Sequence, residues 1–153
     1  MYKHLTYIGF MFILGCHGIE RKPKQLDSPA PADQNVAELF VQAYNQHDVA
    51  GMLQWVHADI RYMYISNDSL YKETSGKPAL AEFLPPFFAN KPHAKSELLS
   101  STQSGSFVHQ VERALWQNAE GHIKSQCSLS VYQLQDQLII NIWYFDVFKC
   151  PKD

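Results

Sequence analysis

Two carboxylates, Glu112 and Asp146, are the side chains whose strand positions best suit proton transfer. Glu112 sits in the alternating run from Phe107 to Trp116, and Asp146 follows Trp143-Tyr144-Phe145 near the end of the chain. A carboxyl group enclosed among apolar side chains must find hydrogen bonds or hold its proton more tightly, so it is a candidate general acid or base. The competing reading is a structural Glu112 bonded to Tyr144, Ser125 or Gln110. Around these acids, Tyr44, Trp55, Tyr62, Tyr64, Trp116, Cys127 and Tyr144 are the candidate ligand-binding residues. Aromatics at such spacings are more often plain core, but a buried phenol hydroxyl still needs a partner, which a ligand or water can supply.

Other chemistries find little support. The histidines at 47, 57, 93, 109 and 122 stand alone, with no His-x-His, no His-Glu-x-x-His and no paired cysteines, so no metal site is expected. Neither a phosphate loop nor a nucleophile elbow occurs, and no cofactor is expected. Thirteen Lys plus Arg against fifteen Asp plus Glu give no bulk attraction to phosphate, which argues against a nucleic-acid partner. With 46% hydrophobic and 18% charged residues in 153, the chain is too apolar for disorder and of a size for one domain.

The elements that must position these residues begin after an export segment. Lys3 and His4 precede the apolar run from Leu5 to Leu14, which is shorter than the roughly 20 residues a spanning helix needs. The run ends at Ile13-Leu14-Gly15-Cys16, which resembles the lipobox of bacterial lipoproteins. That resemblance implies lipidation of Cys16 and residues 1–15 as signal peptide; the polar, proline-bearing stretch that follows makes residues 16–32 a lipidated tether and residues 33–150 the folded domain. The resemblance also implies anchoring to a membrane. His17 stands where an aspartate would resemble the inner-membrane retention signal, so in a Gram-negative host the expected location is the outer membrane, facing the periplasm.

Asn35 to Glu38 has the spacing of a capping box, predicting a first helix over Val36 to Gln46, and Asp48 can cap a short second one. Ile60 to Ser66 and Leu70 to Thr74 read as a strand pair joined at Asn67-Asp68. Ser75-Gly76-Lys77-Pro78 opens a third helix that Pro85-Pro86 should break or kink. Strands are expected over Lys95–Ser101, Phe107–Trp116, Ile123–Leu134 and Leu138–Phe148.

This order resembles the nuclear transport factor 2-like superfamily, and its SnoaL-like branch in particular. Phe40 to Asp48 resembles the family's first-helix ending, Ser75 to Leu80 its glycine-led third helix, and Val131 to Ile139 with Trp143 to Asp146 its closing hairpin. The resemblance implies an α+β, cone-shaped fold in which a curved, mostly antiparallel sheet wraps around three N-terminal helices. The catalytic tyrosine and aspartate of ketosteroid isomerase fall at Phe40 and Tyr64, which cannot fill those roles.

With the simplest turns, 117 pairs with 122 and 134 with 137, and the strand period of two then sorts the side chains. Glu112, Trp116, Cys127, Tyr144 and Asp146 fall on the helix-facing side, whereas His109, Arg113, Ser128, Ser130, Trp143 and Phe145 fall on the outer face. Cys127 would then lie roughly 20 Å from Cys150, against the ~7 Å a disulfide tolerates, so both thiols are expected free or Cys150 joined between chains. Together these features imply a membrane-anchored protein binding a small apolar ligand and forming a homodimer through the outer sheet face. An isomerase, cyclase or lyase using Glu112 or Asp146 is one alternative, and a ligand-free interaction domain is another.

Overall fold

The computed structural model describes residues 35–151. The expected signal peptide, Cys16 and the expected tether lie outside the described residues. Helix α1 (Val36–Asn45) starts with the reciprocal cap its sequence predicts: Asn35 Oδ1 accepts from the Glu38 amide at 3.0 Å, and Asn35 Nδ2 donates to Glu38 Oε1 at 2.7 Å. Helix α2 (Val49–Gln54) is capped by Asp48, whose carboxylate accepts from the Gly51 amide at 2.9 Å. Glycine suits this position, because a Cβ on residue 51 would push the Asp48 carboxylate out of its capping place.

Strand β1 (Val56–Ser66) begins four residues before the expected start and pairs with β2 (Ser69–Ser75). Asn67 and Asp68 both take positive φ, the twist that a two-residue hairpin requires.

Helix α3 (Lys77–Asn90) runs through Pro85 and Pro86 without interruption, contrary to the break expected there. Both prolines are exposed, so the carbonyls of Ala81 and Glu82 that lose their helical donors lie toward solvent. Leu80, Leu84 and Phe88, four residues apart on the opposite face, stay buried and hold the helix together.

Strands β3 (Lys95–Ser104), β4 (Phe107–Gln117), β5 (Ile123–Gln135) and β6 (Leu138–Tyr144) complete a six-stranded sheet in the order β2-β1-β6-β5-β4-β3. All neighbours are antiparallel except β1 and β6, which are parallel. The helices pack on the sheet around Phe40, Met52, Ile60, Leu80, Tyr132 and Ile142. The result is an α+β domain with a mixed, largely antiparallel sheet.

Both hairpin registers differ from the simplest ones. Gln117 pairs with Ile123, because a five-residue connection is closed by Asn118, whose amide donates to the His122 carbonyl and whose Oδ1 accepts from the His122 amide, and by Gly121 at φ 83°. That single extra residue inverts the parity of β5 relative to β4. At the next hairpin Gln135 pairs with Leu138 around Asp136 and Gln137, both at positive φ, and a bulge lies between Gln133 and Leu134.

The shifted register also overturns the expectation of free thiols. Beyond β6 the chain continues beside β5, with Cys127 and Phe148 exchanging backbone hydrogen bonds of 3.0 and 2.8 Å. Cys150 is thereby carried to Cys127, Cα to Cα 5.0 Å, and the two form an intrachain disulfide.

Candidate functional site

Glu112 on β4 is 3% exposed and points to the helix side of the sheet, where three hydroxyls converge on it. Tyr132 Oη donates to its Oε1 at 2.8 Å, Ser130 Oγ donates to the same oxygen, and Ser96 Oγ donates to Oε2 at 2.5 Å. The inverted parity of β5 is what brings this set together: Ser128, Ser130 and Tyr132 now share a face with Gln110 and Glu112. Ser96 is in turn clamped from α1, since Asn45 Nδ2 donates to its carbonyl and Asn45 Oδ1 accepts from its amide, both at 2.7 Å. A buried carboxylate is expensive unless hydrogen-bonded, and here both of its oxygens are satisfied.

The network continues from Tyr132 to Tyr144 on β6, Oη to Oη 3.0 Å. Tyr144 borders a cavity of about 380 Å³, which is also bordered by Glu112 and Tyr44, by Tyr62, Tyr64 and Phe83, and by Leu84 and Phe87. The aromatic side of this wall is continuous. Tyr62 lies 5.5 Å from the Tyr144 ring and 6.2 Å from Phe83, and Phe83 lies 5.7 Å from Phe87. A space this size, mostly apolar with a few polar side chains that include Glu112, Lys95 and Gln126, has the make-up of a small-molecule site.

Burial raises the pKa of four phenols here, those of Tyr44, Tyr62, Tyr132 and Tyr144. Tyr44 is pushed up to about 12, first by burial and then by the negative charge of Glu112. Tyr62 is pushed up by burial, with smaller contributions from Tyr44, Glu112 and Glu73 that the Tyr144 hydroxyl partly offsets. Tyr132 and Tyr144 are raised well above the usual phenol range by burial and then by Glu112. All four therefore keep their protons at neutral pH.

Six of the residues singled out from sequence, namely Glu112, Asp146, Tyr44, Tyr62, Tyr64 and Tyr144, border this one cavity. Three do not. Cys127 is on the other face of the sheet, held in its disulfide. Trp116 lies at the far end of β4 and borders a separate cleft with Lys91, Pro92 and His93. Trp55 packs against the core at the end of α2, where its carbonyl accepts from the Ile139 amide at 2.8 Å.

Asp146 is exposed at the cavity mouth, and its Oδ2 accepts from the Asn67 amide at 3.2 Å, tying the β1–β2 turn to the C-terminal segment. Asn45, Ser96, Ser130 and Tyr132 were not anticipated. The buried Glu112 itself is the signal that could have found them, since a carboxylate inside the fold demands hydroxyls on neighbouring strands of the same face. His47 is structural: its Nε2–H donates to the Ala94 carbonyl at 2.9 Å and its ring stacks on Phe88. Among the described residues no three His, Cys, Asp or Glu side chains gather as metal ligands would.

Comparison with known proteins bears on this arrangement. No curated protein sequence matches the chain significantly. Among solved structures, an uncharacterised cystatin-fold protein from Novosphingobium aromaticivorans is 18% identical, with TM-score 0.63, covering 72% of this chain and 95% of its own. A putative polyketide cyclase from Streptomyces antibioticus is 13% identical, with TM-score 0.60 and coverage of 71% and 87%. A Mycobacterium tuberculosis protein in complex with estradiol-17β-hemisuccinate is 15% identical, with TM-score 0.60 and coverage of 71% and 88%. At these identities the likeness is one of fold. The sequence model of the SnoaL-like domain matches residues 37–141, so the chain belongs to the SnoaL-like family.

Proposed function

We propose that this protein is an exported, lipid-anchored binder of a small, largely apolar molecule, which it holds in the cavity between helices and sheet. The observation that carries the reading is the cavity itself: about 380 Å³ of space lined mainly by aromatic and aliphatic side chains, with Glu112 among a minority of polar residues that includes Lys95, Gln126 and Asp146. Solved proteins of the same fold include one in complex with estradiol-17β-hemisuccinate, a ligand of this general character. Export and anchoring at Cys16 rest on the lipobox-like Leu14-Gly15-Cys16, and the Cys127–Cys150 disulfide fits an oxidising compartment.

Titration with an environment-sensitive apolar fluorophore such as 1-anilinonaphthalene-8-sulfonate tests the reading. Saturable binding at one site is expected, and Ala114→Trp, which fills the cavity from β4, should abolish it while the far-ultraviolet circular dichroism stays unchanged. Non-saturable binding, or binding indifferent to Ala114→Trp, would remove the proposal. Labelling with radioactive palmitate should mark the wild-type protein and spare Cys16→Ser.

A second reading is an acid/base isomerase, cyclase or lyase. It draws on the hydrogen-bonded line from Glu112 through Tyr132 to Tyr144 at the cavity wall. The binding reading is preferred because both Glu112 oxygens are already engaged by hydroxyl donors, bonds that proton shuttling would have to break and remake each turnover. Asp146, the other candidate acid, is engaged with a backbone amide at the mouth. Dimerisation through the outer sheet face is a further proposal, to which Trp143 and the exposed Leu129 contribute apolar surface.

A further inference from the structure

The hydroxyl line at the cavity's polar corner has a direction. Glu112, when ionised, only accepts hydrogen bonds, and a phenol has one proton to give. Tyr132 spends its proton on Glu112 Oε1 at 2.8 Å, so in its 3.0 Å contact with Tyr144 it must accept. Tyr144 therefore points its proton inward, away from the cavity, and the atom it offers to the cavity is an oxygen with a free lone pair. The raised pKa values of Tyr132 and Tyr144 keep one proton on each across the neutral range, which preserves the count.

A protonated Glu112 leaves the direction intact so long as its proton goes to a serine. Ser130 is placed to take it, since its hydroxyl also lies 3.5 Å from the Gln110 carbonyl, to which it can donate instead. Tyr62 lies beside Tyr144, with ring centroids 5.5 Å apart and planes tilted by 46°, and adds apolar surface next to the Tyr144 oxygen.

From this we infer that the cavity selects an apolar ligand that presents a hydroxyl proton, such as a phenol, an enol or an alcohol, to the Tyr144 oxygen, and discriminates against ligands that offer only a carbonyl or ether oxygen there. An acceptor oxygen at that point would face another acceptor, and both would be desolvated without a bond. The inference deepens the proposed binding role and rests on it. It also runs opposite to what activation of a ligand carbonyl needs, because that chemistry requires a donor aimed into the cavity.

Three probes of similar shape separate the two claims: 2-naphthol, 2-methoxynaphthalene and 2-acetylnaphthalene, each titrated calorimetrically into the full protein. The expected result is that 2-naphthol binds about tenfold more tightly than either of the others, the size of one hydrogen bond gained against one lost. In Tyr144→Phe, with its circular dichroism and melting curve checked, the preference should vanish while the ether and ketone bind as before or better. The wild-type ranking decides the matter even if that variant does not fold. Equal or tighter binding of the ether or the ketone overturns the inference and leaves the binding role standing, as does a naphthol preference that survives in folded Tyr144→Phe. Failure of all three to bind overturns both.

Discussion

Glu112 is almost wholly withdrawn from solvent, and the fold spends two serines and a tyrosine on replacing the lost solvation. The consequence at high pH follows from the phenols around it. An unfolded tyrosine ionises near pH 10, roughly, whereas Tyr44 ionises at about 12 in the folded protein, and Tyr62, Tyr132 and Tyr144 are raised as well. In that interval the folded state binds more protons than the unfolded one. The stability contributed is thus fully present below about pH 10 and is lost as pH climbs through the folded values. Urea unfolding midpoints should be flat on this account up to about pH 10 and then fall, and Tyr62→Phe should make the fall shallower. An unchanged slope in that variant would show that Tyr62 is not among the groups responsible.

At the scale of elements, sequence reasoning succeeded where local chemistry decides and failed where a single residue of loop length decides. The Asn35–Glu38 cap, the Asp48 cap and the even-numbered inward face of β4 were all legible, because side-chain type and spacing specify them. The parity of β5 was not. Its odd-numbered residues, including Cys127, Leu129 and Val131, are the more aliphatic set, yet they face outward, while Ser128, Ser130 and Tyr132 face the carboxylate. Hydrophobicity misleads here because the inward face must carry polar partners for Glu112 and the outward Cys127 is covered by the C-terminal segment.

Helix α3 makes the complementary point. Pro85 and Pro86 argue for a break, but Leu80, Leu84 and Phe88 bury a stripe that outweighs two missing bonds on the wet side. Pro85→Ala should restore one of those bonds and raise stability by about 1–3 kcal/mol, less whatever the proline gains by restricting the unfolded chain. Chemical denaturation measures this directly, and a loss of stability would mean the ring itself packs usefully.

For the molecule as a whole, one cavity wall is made by a segment outside the regular sheet. Phe145, Asp146 and Val147 border the space, and the segment is fixed by the Asp146 bond to Asn67, the Phe148 bonds to Cys127 and the disulfide four residues after Asp146. With a sequence separation of 23 between the cysteines, the crosslink is worth about 3 kcal/mol against the unfolded chain. Cys150→Ser should lower stability by about that amount. It should also weaken 2-naphthol binding, because the mouth wall is then held by hydrogen bonds alone. Unaltered affinity in a folded Cys150→Ser protein would show that the segment needs no covalent hold.

The position of β6 carries a consequence in time as well as in space. Sheet order places this last-made strand third, between β1 and β5, and it is the element that joins β1 and β2 to the β3–β5 meander. During synthesis, the first two strands must wait beside their helices with an unpaired edge until residues 138–144 emerge, since pairings of such long sequence separation form late. Cys150 follows only six residues after that strand. Closure of the disulfide thus comes last in the chain's own order, and the oxidised protein is by construction one whose final strand has already arrived.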